Sequence, residues 1–309
     1  MVCAESFMSS VFLHVFIPAF GHSPYLRTAI KSAIESVAAT TPITVIDDAS
    51  PTKEVHSIVA EFQPRIEYRR NDVNLGISAN FLNSFNLSSG LFTLVMGSDD
   101  EMLPGYEIEL TKSFNRFPDT TVFQPRVLVM NAGGQICTPL VDRVKRIIQG
   151  AVDQDQLMKP LTLAKKLFIG DFMYFPATAW RTETLKSANW NLTYQNAVDL
   201  DLLFQLSLAG EQFVFQNAQT FIYRRHSASI SSVLALESTR LNEELAAHLM
   251  AKNLIPEKSG ILIRLLAHLA PTVRIHAMII GIKQLPRNPI KGVKHFLRAL
   301  GPLRPIKTS

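Results

Sequence analysis

Two pairs of adjacent carboxylates are the first residues of this sequence that suggest chemistry. Asp47-Asp48 directly follow a short apolar run, and Asp99-Asp100 follow another, after Gly-Ser. Adjacent carboxylates repel each other unless water, hydrogen-bond donors or a cation offset their charge. Such a pair either holds a hard divalent cation, which takes oxygen ligands, or exchanges protons with a substrate.

A structural role is the alternative for both pairs. Asp and Ser are common caps of helix N-termini, and residues 47–50 precede a predicted helix. Acids near a helix N-terminus are stabilised by the helix dipole, which would explain Asp99 and Asp100 ahead of the next helix. The residues alone leave both pairs open between substrate binding and helix capping.

The segments around these pairs alternate strand and helix patterns. Apolar and β-branched runs predict strands at residues 11–17, 43–46, 66–69 and 91–96. Helical spacing predicts intervening helices, the first with Ser23 as N-cap and Pro24 at its first position, and the others at 53–62, 76–87 and 104–117. This order predicts an α/β fold with a mainly parallel sheet and helices on both faces. Ligands bind beyond the carboxyl ends of such strands, so both acidic pairs are expected on one rim.

The second half of the chain is less regular, and its end differs in charge. A strand is predicted at 121–130, a helix at 199–208 before Gly210, and short strands at 212–215 and 220–223. Residues 1–250 hold 20 Lys and Arg against 25 acids, whereas residues 251–309 hold 11 against one. We expect a boundary near 253–260 that separates a tail, residues 254–309, from a body with two halves, residues 1–120 and 121–253.

The basic tail has its own pattern. Basic residues recur every three or four positions opposite an apolar set: Lys283, Arg287, Lys291, Lys294 and Arg298 against Ile290, Val293, Leu297 and Leu300. A basic amphipathic segment indicates binding to a membrane surface, with packing on the body as the alternative. Nucleic acid is not expected as a partner, because the aromatic residues that stack on bases are missing.

Composition and terminal patterns exclude some classes. Two cysteines cannot form a disulfide framework, and they suit a reducing compartment. No basic segment precedes the apolar residues 11–20, so we expect no signal peptide. The apolar stretch 261–282 contains Arg264 and Arg274, so we expect no transmembrane helix. These patterns favour a cytoplasmic location.

Four ordered motifs resemble those of the family 2 glycosyltransferases with the GT-A fold. They are IPAFG at 17–21, VIDDAS at 45–50, NLGISAN at 74–80 and GSDDEMLPG at 97–105. Many relatives carry a further acid ahead of the last acidic pair, where this chain has Gly97 and Ser98. The resemblance implies a Rossmann-like GT-A fold and a nucleotide-diphospho-sugar transferase.

The resemblance also implies which residues bind the donor. Pro18 and Phe20 would frame the nucleotide, and Asp47 or Asp48 would bind its base, with Asp47 favoured. The motif around Asn74 and Gly76 would complete this substrate-binding set.

A divalent cation, Mg²⁺ or Mn²⁺, is implied at the second acidic pair. Asp99 would face the ribose or the metal, and Asp100 would bind the metal. Residues 223–231 resemble a late family segment, Tyr-Arg-x-His-x-x-Ser-x-Ser. From it, Arg225 would reach the leaving diphosphate and His226 would complete the metal shell.

The family's general base aligns with Asp199, counted back from Gly210. Val198 stands where relatives have Glu, and Asp201 is the alternative base. Capping of the helix is the structural alternative for both acids. Asp171 and Trp180 resemble the acceptor side of the family, although Trp180 fits a core position equally well.

The resemblance implies an inverting, metal-dependent hexosyl- or deoxyhexosyltransferase. It would move a sugar from a UDP- or dTDP-linked donor to a saccharide or lipid-linked saccharide acceptor in bacterial surface polysaccharide biosynthesis, at the inner face of the cell membrane. A non-catalytic nucleotide-sugar binder or scaffold is the alternative, since the acidic motif lacks the further acid that many relatives carry. A nucleotidyltransferase ranks lower, because residues 18–25 contain no Lys or Arg for a phosphate loop.

Overall fold

The computed structural model describes residues 12–226, 238–286 and 288–301. The strands are β1 (Leu13–Ala19), β2 (Ile43–Asp47), β3 (Glu67–Arg70), β4 (Phe92–Val95), β5 (Glu101–Met102), β6 (Thr120–Asn131), β7 (Gln156–Met158), β8 (Ala179–Arg181) and β9 (Gln212–Arg225). The first helices are α1 (Leu26–Ser36), α2 (Glu54–Ala60), α3 (Ile77–Leu87), α4 (Tyr106–Arg116), α5 (Leu140–Gln149) and α6 (Pro160–Ile169). The later helices are α7 (Thr182–Ser187), α8 (Val198–Ala209), α9 (Ser238–Leu254), α10 (Ile261–Leu269), α11 (Pro271–Gln284) and α12 (Pro289–Leu300).

All described strands form one mixed sheet, in the order β3-β2-β1-β4-β8-β6-β9-β5, with β7 paired to β9. The pairs β2-β3, β1-β2, β1-β4 and β6-β9 are parallel. The pairs that involve β5, β7 or β8 are antiparallel. The predicted α/β fold with a central sheet between helices is confirmed, and its parallel character is concentrated in the half that carries both acidic pairs.

The first strand and helix differ from the prediction at their boundaries. β1 continues through Pro18, which pairs in register with Ile46, and ends at Ala19. Its residues are buried on both sides of the sheet, which explains the continuous apolar run. Helix α1 begins at Leu26, two residues after the predicted start, because Ser23 forms a turn in which its carbonyl accepts from the Leu26 amide at 3.3 Å.

Two apolar clusters form the core. The first joins β1 and β2 to α1, α2 and α4. The second joins β4, β8 and β9 to α3, α6 and α8, and it also includes residues of the tail, Ile263 and Ala267. Packing of the tail on the body, one of the two alternatives from the sequence, is therefore present in the structure.

The stretch 261–284 combines helical structure with high hydropathy. Among the described residues it is the one segment that is long and apolar enough to cross a membrane by length and composition, with a mean hydropathy of 1.5. Ala270 adopts a left-handed conformation, with φ 37°, and divides the stretch into α10 and α11. Val273 and Ile280 are buried in a third small cluster with α9 and α12. The stretch therefore consists of two helices joined at a sharp bend, each with one buried side.

Candidate active site

The loops that follow β1, β2 and β4 lie side by side at the carboxyl ends of the parallel strands. The Gly21 amide donates to Ser50 Oγ at 2.9 Å, and the Asp48 amide donates to the Ala19 carbonyl at 2.9 Å. Ser23 Oγ lies 3.4 Å from Ser98 Oγ in the loop after β4. Both acidic pairs therefore lie on one rim of the sheet, as expected from the strand order.

Asp47 is fully buried and fully engaged by protein donors. Its Oδ1 accepts from the Ser50 amide at 2.8 Å, and its Oδ2 accepts from Tyr68 at 2.7 Å and Arg70 at 2.5 Å. Burial alone would raise the pKa of Asp47, but the hydrogen bonds from Ser50, Tyr68 and Arg70 outweigh it, so the pKa is lowered. Asp47 is thus an ionised carboxylate that ties β3 to the loop after β2.

Asp48 organises the loop before α3. Its carboxylate accepts from the Asn71 side chain at 2.7 Å and from the Leu75 and Gly76 amides at 2.9 and 3.1 Å. Gly76 has φ +76°, and its amide also donates to the Asn74 side-chain oxygen at 2.9 Å. The loops after β2 and β3 are therefore joined by the residues of the predicted donor motifs. Binding of a base by Asp47 or Asp48 stays a prediction.

The residues predicted to frame the nucleotide lie at the same rim. Phe20 directly follows β1 and is 54% exposed, a large fraction for a phenylalanine beside a core strand. Pro18 is partly exposed in β1. An exposed aromatic ring at the end of a parallel strand offers a stacking surface for a planar ligand.

Asp99 and Asp100 converge on Gly97. A Cβ atom at Gly97 would lie 2.6 Å from Asp100 Oδ2 and 2.8 Å from Asp99 Oδ1. No larger residue fits there without moving the two carboxylates. His226, at the end of β9, places Nε2 at 2.7 Å from Asp99 Oδ2. The three side chains predicted to surround a metal are therefore adjacent.

Asp100 has properties that suit a metal ligand. Its side chain is 1% exposed, Oδ1 accepts from the Arg224 amide at 2.8 Å, and Oδ2 has no hydrogen-bond partner among the residues that the structure describes. Burial, followed by the charge of Asp99, raises the pKa of Asp100 well above its ordinary value. A divalent cation would stabilise the ionised form and satisfy Oδ2, so the donor set fits Mg²⁺ or Mn²⁺. Among the residues that the structure describes, no group of three or more His, Cys, Asp or Glu has a ready-made metal-binding geometry.

Arg224 is a site residue that the sequence analysis did not select. Its Nε donates to the Asp99 carbonyl at 2.8 Å, its Nη2 pairs with Glu101, and its guanidinium lies 4.3 Å from the centre of the Tyr25 ring. Arg224 occupies the arginine position of the Tyr-Arg-x-His pattern, and that match was the available signal. It buttresses the acidic loop with a positive charge.

Arg225, the residue selected instead, belongs to another cluster. Its guanidinium donates to both oxygens of Asp142, at 2.6 and 2.8 Å. Asp142 also accepts from the Tyr174 hydroxyl at 2.6 Å, and although burial opposes ionisation, these partners lower its pKa. This pairing argues against direct contact of Arg225 with a diphosphate and gives it a structural role. The rest of the predicted late segment, residues 227–231, lies outside the described residues.

A second carboxylate centre forms around Asp171 and Asp199. Lys145 donates to the Met173 carbonyl at 2.6 Å and lies 3.4 Å from Asp171 Oδ2. Asp199, in the first turn of α8, accepts from the Leu200 amide at 2.8 Å. Burial, followed by the negative charge of Asp171, raises the pKa of Asp199 to about 7. A partly exposed carboxyl with this pKa is suited to take a proton near neutral pH.

The two remaining predicted residues, Asp201 and Trp180, make contacts with other residues. Asp201 is 8% exposed, and its carboxylate accepts from Gln205 at 3.0 Å on the same helix. Trp180 is fully buried in the second core cluster against Phe175. Of the two interpretations of Trp180, the structure favours the core, which corrects its selection as an acceptor contact.

Solved structures with similar folds include TarS and a mannosyltransferase. TarS from S. aureus has 12% identity and a TM-score of 0.58, over 93% of this chain and 54% of TarS, so the chain spans about half the length of that protein. TarS 1–349 in complex with UDP-GlcNAc has 13% identity and a TM-score of 0.59, and the match covers 93% of this chain and 90% of TarS 1–349. Mannosyltransferase PcManGT from Pyrobaculum calidifontis, in complex with GDP-Man and Mn²⁺, has 12% identity and a TM-score of 0.60. The match covers 93% of this chain and 80% of the mannosyltransferase. At such identities the likeness establishes the fold.

The sequence comparison identifies a family for the first half of the chain. No curated protein sequence matches the chain. Residues 14–154, which contain the four motifs, match the sequence model of glycosyl transferase family 2. The match confirms the predicted resemblance to glycosyl transferase family 2 for residues 14–154, and the similar structures confirm a GT-A-like fold.

Proposed function

We propose that this chain is an inverting glycosyltransferase that moves a sugar from a nucleotide-diphosphate sugar to a saccharide or a lipid-linked saccharide. The observation that carries the proposal is Asp199, whose pKa is raised to about 7 by burial and by Asp171. It lies in a chain whose residues 14–154 match family 2 and that also holds a converging acidic pair, Asp99 and Asp100. One centre suits proton removal from an acceptor, and the other suits a diphosphate with its cation.

In the proposed step, ionised Asp199 accepts the proton of an acceptor hydroxyl. The acceptor oxygen forms a bond to the anomeric carbon while the bond from that carbon to the diphosphate oxygen breaks on the opposite face. The diphosphate leaves with the electron pair, and the configuration at the anomeric carbon inverts. The proton remains on Asp199 until water removes it.

Asp99 and Asp100, with His226 beside them, would hold Mg²⁺ or Mn²⁺. The bound cation supplies positive charge that stabilises the leaving diphosphate. Arg224 holds the acidic loop in place through the Asp99 carbonyl and Glu101. A neighbour of similar fold that is complexed with Mn²⁺ and GDP-Man supports this assignment.

The proposed donor is a UDP- or dTDP-linked hexose or deoxyhexose. Neighbours in complex with UDP-GlcNAc, UDP and GDP-Man support a nucleotide-sugar donor. We assign the acceptor to bacterial surface polysaccharide synthesis and the protein to the inner face of the cell membrane, through its basic tail.

Donor hydrolysis and transfer test the proposal directly. The full chain is incubated with Mn²⁺ and a panel of UDP-, dTDP- and GDP-sugars, and nucleotide release is measured. We expect release with at least one sugar nucleotide and its loss in excess EDTA. Absence of nucleotide release with every member of the panel would overturn the proposal.

A non-catalytic nucleotide-sugar binder is the second candidate. It is favoured by the lack of a ready-made three-ligand metal group among the described residues. Its signature is donor binding without turnover, unchanged in the Asp199→Asn variant. Turnover that depends on Asp199 excludes it.

A further inference from the structure

Helix α5 exposes its apolar face. Leu140, Val144 and Ile147, one helical turn apart, are 76%, 41% and 77% exposed. Asp142, on the opposite side, is fully buried. A surface helix of a soluble domain normally shows the reverse arrangement, with its apolar stripe in the core. A stripe of this kind marks an interaction surface.

The orientation of α5 is fixed by its polar side. Asp142 forms the ion pair with Arg225 and the hydrogen bond with Tyr174. Lys145 reaches the Met173 carbonyl and Asp171. Rotation of α5 to hide its apolar stripe would break these buried contacts. The helix therefore connects an exposed apolar surface to the carboxylate centre that contains Asp171 and Asp199.

The charges around the apolar stripe of α5 indicate the chemistry of the partner that this surface would bind. Arg143 and Arg146 are exposed beside the apolar stripe, and the one acid of the helix, Asp142, is buried. The tail shows the same combination, since residues 258–309 contain ten Lys and Arg and no acid. Apolar side chains flanked by cations match the interface of an anionic bilayer, with acyl chains below and negative headgroups above.

The tail adds apolar surface next to α5. A Cβ atom at Gly170 would lie 2.6 Å from Thr272, at the start of α11, and 3.1 Å from Ile148, at the end of α5. The two helices thus meet at Gly170. Both helices of the hairpin formed by α11 and α12 expose regularly spaced apolar residues: Ile275, Ile279, Ile282, Ile290, Val293, Leu297 and Leu300.

We propose that α5 docks into an anionic bilayer through Leu140, Val144 and Ile147, beside the membrane contact of the tail. The docked helix places the centre of Asp171 and Asp199 at the lipid surface, where a saccharide carried on a lipid is within reach. The nature of that acceptor rests on the proposed function, whereas docking of the helix does not.

Vesicle flotation of the full chain tests the docking. The variant carries Leu140→Ser, Val144→Ser and Ile147→Ser, and the control carries Val73→Ser and Ile108→Ser, which replace residues that are 63% and 61% exposed elsewhere. On phosphatidylcholine vesicles containing phosphatidylglycerol, we expect the variant to partition about tenfold or more weakly. The control should stay within about twofold of the parent. Equal partitioning of variant and parent would overturn the proposal.

A charge variant separates electrostatic from apolar binding. Arg143→Gln with Arg146→Gln should weaken binding severalfold when phosphatidylglycerol is present, since each basic residue near the surface strengthens attraction to anionic lipid. Binding to phosphatidylcholine alone should not change. No effect on either vesicle would count against α5 as the contact.

Light scattering and donor hydrolysis distinguish membrane docking from the remaining alternatives. If the apolar stripe serves a second copy of the chain, the parent is dimeric, the serine variant is monomeric, and flotation is unchanged, which overturns the proposal. Donor hydrolysis in solution should be the same in parent and variant. Hydrolysis without vesicle binding would refute only the docking, and vesicle binding without hydrolysis would refute only the enzyme assignment.

Discussion

His226 Nε2 lies 2.7 Å from Asp99 Oδ2, which joins the end of β9 to the loop after β4. The neighbouring Arg224 amide donates to Asp100 Oδ1 at 2.8 Å, so one strand end holds both carboxylates of the pair. Repulsion between adjacent acids is thereby reduced on one side of each carboxylate. Asp100 Oδ2 has no hydrogen-bond partner among the described residues, and the proposed cation would bind there.

Replacement of Gly97 tests this geometry. In Gly97→Ala, the new Cβ would lie 2.6 Å from Asp100 Oδ2 and 2.8 Å from Asp99 Oδ1, so the carboxylates must move apart. We expect Mn²⁺ affinity, measured by calorimetry, to fall about tenfold or more, since ligand positions must be accurate to fractions of an ångström. Gly133→Ala is the matched control, because its Cβ would make an ordinary 3.4 Å contact with Asn131. Equal Mn²⁺ affinity in the two variants would argue against a metal at this loop.

Asp199 and Asp201 form a matched pair for the catalytic assignment. Asp199→Asn should lower sugar transfer about 10²- to 10⁴-fold, the usual contribution of a general base, with donor binding retained. Asp201→Asn should have a much smaller effect, because the Asp201 carboxylate contacts Gln205 on its own helix. The measurements are single-turnover transfer and donor titration. If Asp201→Asn loses more transfer activity than Asp199→Asn, Asp201 is the general base and Asp199 is not.

The raised pKa of Asp199 predicts how activity depends on pH. The carboxyl is the active base only when ionised, and its pKa is about 7. Transfer at saturating donor should therefore fall as the pH decreases through 7 and level off above it. Removal of the Asp171 charge in Asp171→Asn should move this midpoint to lower pH, because the Asp171 carboxylate raises the Asp199 pKa. A midpoint that does not move would show that Asp171 does not act on the base.

The sequence predicts structure best where the hydrophobic periodicity or the motif extends over many residues. The alternation that predicts β1, β2 and β4 with their helices is strong, and strand order then places Asp47 and Asp99 on one rim. The strands β5, β7 and β8 have two or three residues each, too few for a recognisable period. Arg224 and Arg225 differ only in which side of β9 they occupy, and a local sequence pattern did not resolve that difference.

Two features of the site depend on contacts between distant segments. Lys145 reaches Asp171 from a helix whose surroundings the sequence does not define. Trp180 fits an acceptor loop or a core position equally by its type, and burial against Phe175 decides for the core. Burial depends on which segments pack together, so a single sequence gives little information about it.

The tail offers another matched pair of substitutions. Ile263 is fully buried in the core cluster shared by α6 and α8, whereas Ile261 is 85% exposed on the same helix. Ile263→Ala should lower the free energy of unfolding by about 2–5 kcal/mol, as for other large-to-small changes in a core. Ile261→Ala should lie within about 0.5 kcal/mol of the parent. Urea denaturation measures both, and equal stability would show that α10 does not pack on the body in solution.

Glu243 of α9 supports the helix that carries Asp199. Its carboxylate accepts from the amides of Gln195, Asn196 and Ala197, at distances of 2.8 to 3.2 Å, directly before α8. The negative charge satisfies otherwise unpaired amides and interacts favourably with the helix dipole. Glu243 therefore fixes the first turn of α8 from a separate helix.

We expect Glu243→Gln to affect both stability and transfer. Loss of the charge should lower the free energy of unfolding by about 1–2 kcal/mol, because charge-assisted hydrogen bonds are replaced by neutral ones. Transfer should fall severalfold with unchanged donor affinity, since displacement of the first turn of α8 moves Asp199 and not the donor loops. Glu183→Gln, at a carboxyl that is 81% exposed in α7, is the control and should leave both quantities unchanged. A loss of donor affinity in Glu243→Gln would indicate a disturbance beyond α8, and unchanged transfer would indicate that the amide alone keeps Asp199 in place.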